Sequence, residues 1–227
     1  MKNIALILAS GIGKRAGFDT PKQFLQLSGK TICEWSIEAF EKNGNIDEII
    51  LVVHPDYKDF LENLVKNKYK KITRIVTGGK ERIDSSRNGV FAIEEKEANV
   101  FIHDSVRPFV TQKIIDDCAK AMEIYSAVDV ALDVTDTIFV CKDGIMQEIP
   151  PRKFLKKSQT PQCFKLSLIK KAHEKALEEK NIQFTDDCGL ILQYKLADIY
   201  IVDGDEKNIK ITYKSDIEQA QRSVKGK

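Results

Sequence analysis

A short stretch near the amino terminus concentrates the residue types that bind phosphate. Leu8-Ala9-Ser10-Gly11-Ile12-Gly13-Lys14-Arg15-Ala16-Gly17 leads into Thr20-Pro21-Lys22-Gln23-Phe24. Glycines let successive backbone N–H groups close on an anion. Lys14, Arg15 and Lys22 place three cations within nine residues, a charge that matches a triphosphate. Two familiar phosphate motifs fail on spacing. A G-x-G-x-x-G fingerprint needs its third glycine one residue before Gly17, and a P-loop needs Ser or Thr where Arg15 follows Lys14. The first mismatch disfavours a dinucleotide-dependent dehydrogenase. The plainer alternative is a surface turn with solvated lysines.

An anion loop of this kind needs a buried strand before it. Asn3–Leu8 is that strand, a short apolar run. Further strands are expected at Glu48–Val53, Ile72–Val76 and Asn99–His103. Helical spacing falls at Ile32–Lys42, at Asp56–Lys68 with Phe60, Leu61 and Leu64 facing inward, at Arg82–Ile93, and from the Thr111 N-cap to about Tyr125. This alternation predicts an α/β fold, a Rossmann-like and mostly parallel sheet with helices on both faces. Ligands then sit beyond the carboxyl ends of the strands. After Ala127 the rhythm changes. Ala127–Asp133 and Thr137–Val140 are strand-like, Asp143-Gly144 is a hairpin signal, and Ile145–Ile149 is the return strand before Pro150-Pro151. This reads as a projecting β-arm, about residues 135–155, on a single unit spanning 1–227. Helices at Lys165–Glu179 and Asp186–Tyr194, strands at Asp198–Val202 and Ile209–Thr212, and a terminal helix from about Ser215 complete the pattern.

Composition narrows the function classes. In 227 residues, 36 basic side chains face 34 acidic ones, a net charge of +2. A nucleic-acid-coating protein needs a larger basic excess, so no nucleic-acid partner is expected. The run Ile4–Ala9 is too short to span a membrane, and no cleavage pattern follows it, so a cytoplasmic protein without membrane association is expected. The five cysteines form no CxxC pair and the three histidines are scattered, which argues for reduced thiols and against structural zinc.

The loop resembles the nucleotide loop of cytidylyltransferases acting on 2-C-methyl-D-erythritol 4-phosphate or on ribitol 5-phosphate. The resemblance continues in order through Gly78–Ser86 (G-G-K-E-R-I-D-S-S), His103–Phe109 (H-D-S-V-R-P-F), Asp136-Thr137-Ile138, Pro151-Arg152, Gln159-Thr160-Pro161-Gln162, Thr185-Asp186-Asp187 and Asn208–Thr212. It covers essentially the whole chain. Three positions depart from the usual pattern: Ser10 replaces a second glycine, Ala16 a methionine, and Ser158 a glycine or alanine.

That resemblance implies attack by a phosphomonoester oxygen on the α-phosphorus of CTP, with release of pyrophosphate. The nucleophile is already largely anionic, since its second pKa is about 6. The remaining problem is repulsion and charge build-up, which cations and Mg²⁺ relieve. The family pattern assigns Arg15 and Lys22 to transition-state stabilisation, Lys210 to the α-phosphate and Arg152 to the acceptor phosphate. Leu8, Ala9, Ser10, Gly11, Gly13 and Lys14 join Gly79, Arg82, Asp84 and Ser85 in binding CTP. Asp104, Ser105, Arg107, Thr160 and Thr185 face the acceptor, with Asp104 also beside the metal. Structural alternatives stand next to several of these. Arg82 and Asp84 can be a helix-start charge pair, and Thr185 the N-cap of the following helix. Lys210 can be an edge-strand lysine buried between apolar neighbours, Arg152 a surface arginine, and His103 a packed strand-end histidine. Arg107 can pair with Asp104 or bind the acceptor phosphate.

Two details favour a ribitol-phosphate acceptor: Val106 before Arg107, where the methylerythritol enzymes more often have alanine, and Phe139 after Asp136-Thr137-Ile138, where they usually have lysine. The alternatives are a methylerythritol phosphate cytidylyltransferase and, in a different class, a non-catalytic nucleotide-binding sensor. The arm has two apolar strands and no core to cover both faces, so a homodimer with exchanged or interlocked arms is expected.

Overall fold

The computed structural model describes residues 1–12, 20–179 and 184–225. Strands β1 (Asn3–Ala9), β2 (Gln26–Leu27) and β3 (Lys30–Thr31) precede helix α1 (Ile32–Glu41), β4 (Glu48–Val53), α2 (Lys58–Val65), β5 (Ile72–Thr77), α3 (Arg82–Phe91), β6 (Asn99–Asp104) and α4 (Gln112–Ala121). The second half holds β7 (Ala127–Asp133), β8 (Val140–Lys142), β9 (Ile145–Glu148), β10 (Lys156–Ser158), β11 (Gln162–Lys165), α5 (Leu166–Glu178), α6 (Asp187–Gln193), β12 (Tyr200–Asp203) and α7 (Lys214–Lys225).

β5, β4, β1 and β6 run parallel, in that spatial order. β11 then pairs antiparallel with both β6 and β7. β10 continues along the same edge of β7, and β12 lies parallel on its other edge. The chain leaves β1 for β4 on one side and reaches β6 on the other, so a crevice opens at the carboxyl ends of β1 and β6. Their register sets Leu8 opposite Asp104 there.

Period-two alternation splits the core across the sheet. Ala5 and Ile7 face α1, α2 and α4, while Ile4, Leu6 and Leu8 face α3, α5 and α6. That is the fully buried, continuous apolar pattern of a central parallel strand. A smaller cluster of Leu27, Ile32, Ile211 and Ala220 ties α7 to the β2–β3 hairpin.

β7 is a sheet strand paired on both edges, so the arm begins beyond Asp133. Several expectations change. The outgoing arm strand is Val140–Lys142 and not Thr137–Val140. Asp143 and Gly144 both have positive φ, 52° and 79°, the signature of a type I′ hairpin turn. Phe60 is exposed instead of inward-facing, although its ring meets Phe24 edge-on at 5.0 Å. Thr111 does cap α4, accepting from Ile114 N at 3.2 Å, but the helix ends at Ala121. Ile209–Thr212 is not a strand. Among the described residues no helix is long and apolar enough to cross a membrane. All five cysteines are free thiols, and only Cys141 on the arm is exposed.

Candidate active site

The strand β1 delivers Leu8 and Ala9 to the crevice and the loop begins at Ser10. Its first turn is held by Gln23, whose buried amide donates to Ala9 O at 2.7 Å and Gly11 O at 2.8 Å. Leu8 O accepts from Ser105 N at 3.0 Å, which joins the ends of β1 and β6. Lys22 opens a single 3₁₀ turn, Lys22–Phe24, after Pro21. Its ammonium donates to Ile211 O at 3.1 Å and Thr212 O at 3.4 Å.

Ser10, Gly79 and Ser85 meet above β1. Ser85 Oγ lies 2.7 Å from Ser10 Oγ and accepts from Gly79 N at 3.0 Å. The two glycines are required by close approach. A Cβ on Gly78 would lie 2.5 Å from Ser10 Cβ, and one on Gly79 2.3 Å from Asp84 Cβ. Asp84 accepts from Glu81 N at 3.1 Å and pairs with Arg87 at 2.8 Å. It is therefore a helix-start residue, but its ionic partner is Arg87 and not Arg82.

Arg82 reaches instead into the crevice. Its Nε lies 3.0 Å from Asp104 Oδ1, and a terminal nitrogen lies 2.7 Å from Asp187 Oδ2. Lys210 Nζ takes the other oxygen of Asp104 at 2.7 Å. Burial opposes the charge on Asp104, but Arg82 and Lys210 outweigh it and hold the carboxyl well below its ordinary range. Asp187 is fully buried. Burial again opposes ionisation, and Arg82 with His173 and Ser86 holds it down at about 2. Ser86 Oγ donates to Asp187 at 2.5 Å.

Thr160 and His103 form the neighbouring wall. His103 is buried, and desolvation depresses its pKa to about 4, so it is neutral at physiological pH. Its Nε2 faces Arg107 O at 3.1 Å, which leaves Nδ1 to accept from Thr160 Oγ1 at 3.0 Å. Thr160 Oγ1 also accepts from Asp104 N at 3.2 Å. His103 is thus a packed orienting group, as its strand-end position suggested. Arg107 is not paired with Asp104. It donates to Asn208 O at 2.9 Å and Ser158 O at 3.5 Å.

Between these walls lies a pocket of about 170 Å³. Arg82, Asp104, Arg107 and Lys210 line it with charge, and Ser158, Gln159, Thr160, Gln162, Thr185 and Asp186 with hydrogen-bonding groups. None of these side chains is apolar. A larger polar recess of about 480 Å³ lies elsewhere, at the amino ends of β1 and β6 around Asn3 and Asn99. In α/β sheets chemistry belongs at the other end, and the charged cluster is there.

The family model described as IspD, 2-C-methyl-D-erythritol 4-phosphate cytidylyltransferase, matches residues 3–225. The chain belongs to the IspD family. It is accordingly a CTP-dependent cytidylyltransferase. A 2-C-methyl-D-erythritol 4-phosphate cytidylyltransferase of Clostridium perfringens is 41% identical over 226 residues, covering 99% of both chains. A bifunctional ribulose 5-phosphate reductase/CDP-ribitol pyrophosphorylase of Haemophilus influenzae is 38% identical over 222 residues, 95% of this chain but only 47% of that longer protein. A solved 4-diphosphocytidyl-2C-methyl-D-erythritol synthase from Anaerococcus prevotii superposes with a TM-score of 0.88 at 29% identity, covering 99% of this chain and 96% of the other.

The IspD-family pattern and the geometry agree in part. Lys22, Lys210, Asp104, Arg107, Thr160 and Thr185 converge on the crevice with Arg82, and Ser10, Gly79 and Ser85 meet at the end of β1 beside it. Gly13, Lys14 and Arg15 lie outside the described residues. Ser105 is wholly buried with its hydroxyl unpartnered and does not line the pocket. Arg152 is exposed on the arm, 3.5 Å from Thr137 Oγ1, away from the pocket of its own chain. Lys210 is half-exposed on irregular backbone, not a buried edge-strand lysine. Thr185 is not the cap of α6. Asp186 is, accepting from Gly189 N at 2.8 Å. Gln23, Gln159, Gln162 and Asp187 were not anticipated. Their only sequence signal was position inside the motifs P-K-Q-F, Q-T-P-Q and T-D-D.

Proposed function

We propose that the enzyme transfers CMP from CTP to D-ribitol 5-phosphate, giving CDP-ribitol and pyrophosphate, for use as a precursor of a cell-wall polymer or capsule. One observation carries the acceptor reading: every residue lining the pocket can hydrogen-bond or carries charge. A linear pentitol phosphate offers several hydroxyls and no methyl branch. Such a surface satisfies hydroxyls and gives a methyl group no apolar partner.

In this reading the acceptor phosphate attacks the α-phosphorus, already anionic and needing no general base. Neutral His103 fits that chemistry, because its role is to orient the Thr160 hydroxyl, which retains acceptor capacity for a substrate hydroxyl. Lys22 and Lys210, with Arg15 from the loop, offset the charge that builds on the phosphates. Arg82 and Ser85 face the nucleotide side. Asp104 remains ionised, with its two oxygens held by Arg82 and Lys210, and would offer a magnesium ion one carboxylate oxygen once substrate phosphate draws Lys210 away. Among the described residues no cluster of three acidic, Cys or His side chains offers an all-protein cage. The ion would supply further charge neutralisation on the triphosphate.

The arm supports a homodimer. Phe139, Val140, Ile145, Met146, Ile149 and Phe154 are all exposed in the single chain. A partner there would also account for Arg152 standing away from its own pocket.

The second reading, a methylerythritol phosphate acceptor, is favoured by the 41% identical Clostridium perfringens relative. Side-by-side kinetics separate the two. Ribitol 5-phosphate is expected to give at least about tenfold higher kcat/KM. A preference for methylerythritol phosphate would reject the ribitol reading.

A further inference from the structure

Lys210 lies on a strap, residues 204–213, that has no regular secondary structure between the end of β12 and the start of α7. Irregular backbone of that length would place a flexible lysine poorly. The strap is nevertheless pinned by buried side chains. Gln159 donates to Asp205 O at 2.9 Å and accepts from Asp205 N at 3.3 Å. Asn208 is fully buried, and its amide donates to Gln159 Oε1 at 3.1 Å and to Thr160 O at 3.0 Å. The carbonyl of Asn208 accepts from Arg107 at 2.9 Å, and Ile211 N donates to Val106 O at 2.9 Å. Gly204 fits against the same glutamine, where a Cβ would lie 2.6 Å from Gln159 Oε1.

We propose that Asn208, through Gln159, is a positioning residue for Lys210. This rests on the reading of Lys210 as a phosphate-facing cation. Asn208 does not line the pocket, so it touches no substrate. Both of its amide hydrogens are spent within the chain, one on the side chain that brackets the strap and one on the backbone of Thr160. An aspartate or serine cannot reproduce two donated bonds from that position. The amide thereby anchors the strap to the backbone at Thr160, two residues before the cation. Among the described residues the Lys210 side chain is otherwise held at its tip, by Asp104. Its placement when phosphate competes with that carboxylate depends on the strap.

The test uses the full chain with Asn208→Ala, Lys210→Ala and the double variant. Hydrogen exchange is expected to accelerate in peptides covering 204–213 of Asn208→Ala, while β1 and β4 stay protected. With CTP and ribitol 5-phosphate, kcat is expected to fall about 10–100-fold, the scale of a misplaced catalytic group. In the Lys210→Ala background the same substitution should lower kcat by no more than about twofold, because a residue acting through Lys210 has nothing left to act on. Unchanged exchange across the strap overturns the proposal, and so does an equal loss of kcat in both backgrounds. If the wild type turns over no acceptor, the functional reading fails, and the exchange comparison still decides whether Asn208 holds the strap. If Asn208→Ala does not fold, Asn208→Leu, similar in shape and without polar groups, carries the same expectations.

Discussion

Replacing Asp129 by asparagine is expected to stabilise the protein at neutral pH. Asp129 sits in β7, only 7% exposed. Gln162 Nε2 donates to it at 3.2 Å and to Asp186 at 3.0 Å, so one amide bridges two carboxylates. Burial is the main force on Asp129, and it raises the pKa from 3.8 to about 6, against hydrogen bonds from Ser158 and Gln162. The folded state thus disfavours the charged form. The penalty is absent below the unfolded value near 3.8, grows as pH rises, and is complete above about 6. That interval of about 2 pH units, at ~1.4 kcal/mol each, corresponds to at most about 3 kcal/mol. Asparagine keeps the shape and cannot ionise. Urea unfolding of both proteins should show Asp129→Asn more stable by about 1–3 kcal/mol at pH 7.5, with the gap reduced to about a third of that at pH 4.5. Asp187 acts with the opposite sign, stabilising above 3.8 and losing its contribution as pH falls toward about 2. It is common to both proteins and cancels in the difference. A variant no more stable than wild type at pH 7.5, or an advantage as large at pH 4.5 as at pH 7.5, would refute the reasoning.

Lys22→Ala should cut turnover by about 10²–10³-fold with folding intact, and Arg15→Ala likewise. The double variant should lose less than the sum, and near-normal turnover in either single variant removes that residue from the machinery. CTP should be preferred over UTP by about 1–3 kcal/mol in kcat/KM, since exchanging the N4 donor for an acceptor leaves a buried partner unsatisfied. Equal values for the two nucleotides would contradict a cytosine-reading pocket. On the arm, Ile145→Lys with Phe154→Glu should convert a dimer to a monomer in sedimentation velocity, and a wild type already monomeric at micromolar concentration rules the arm out as an interface.

Much of the fold was legible because burial on both faces leaves a plain mark. Runs such as Ile4–Ala9 and Ile49–Val53 have no other physical reading in a chain this charged. β10 and β11 left no such mark. Lys156-Lys157-Ser158 is a polar edge segment, and Gln162 is a buried amide in a strand, so neither shows the expected period. Asn208–Thr212 misled in the other direction. Its alternating pattern is that of a strand, but Asn208 and Ile211 turn inward to satisfy Gln159, Thr160 and Val106. In the site, charges are recognisable by type and motif, as Lys22, Asp104 and Lys210 are. Their partners are not. Asp187 is 105 positions from Arg82, and only the packing of α6 against α3 and α5 explains a carboxylate with no exposed surface there. Arg107 shows the limit most plainly. Its type suggests an anion, yet both of its terminal nitrogens donate to backbone carbonyls while it lines the pocket.

Acceptor-dependent pyrophosphate release tests the central claim most directly. The purified protein with CTP and magnesium should release almost none alone. With ribitol 5-phosphate it should release one pyrophosphate for each CDP-ribitol formed. Inorganic phosphate as the product, or pyrophosphate formed at the full rate without acceptor, would contradict CMP transfer to a polyol phosphate.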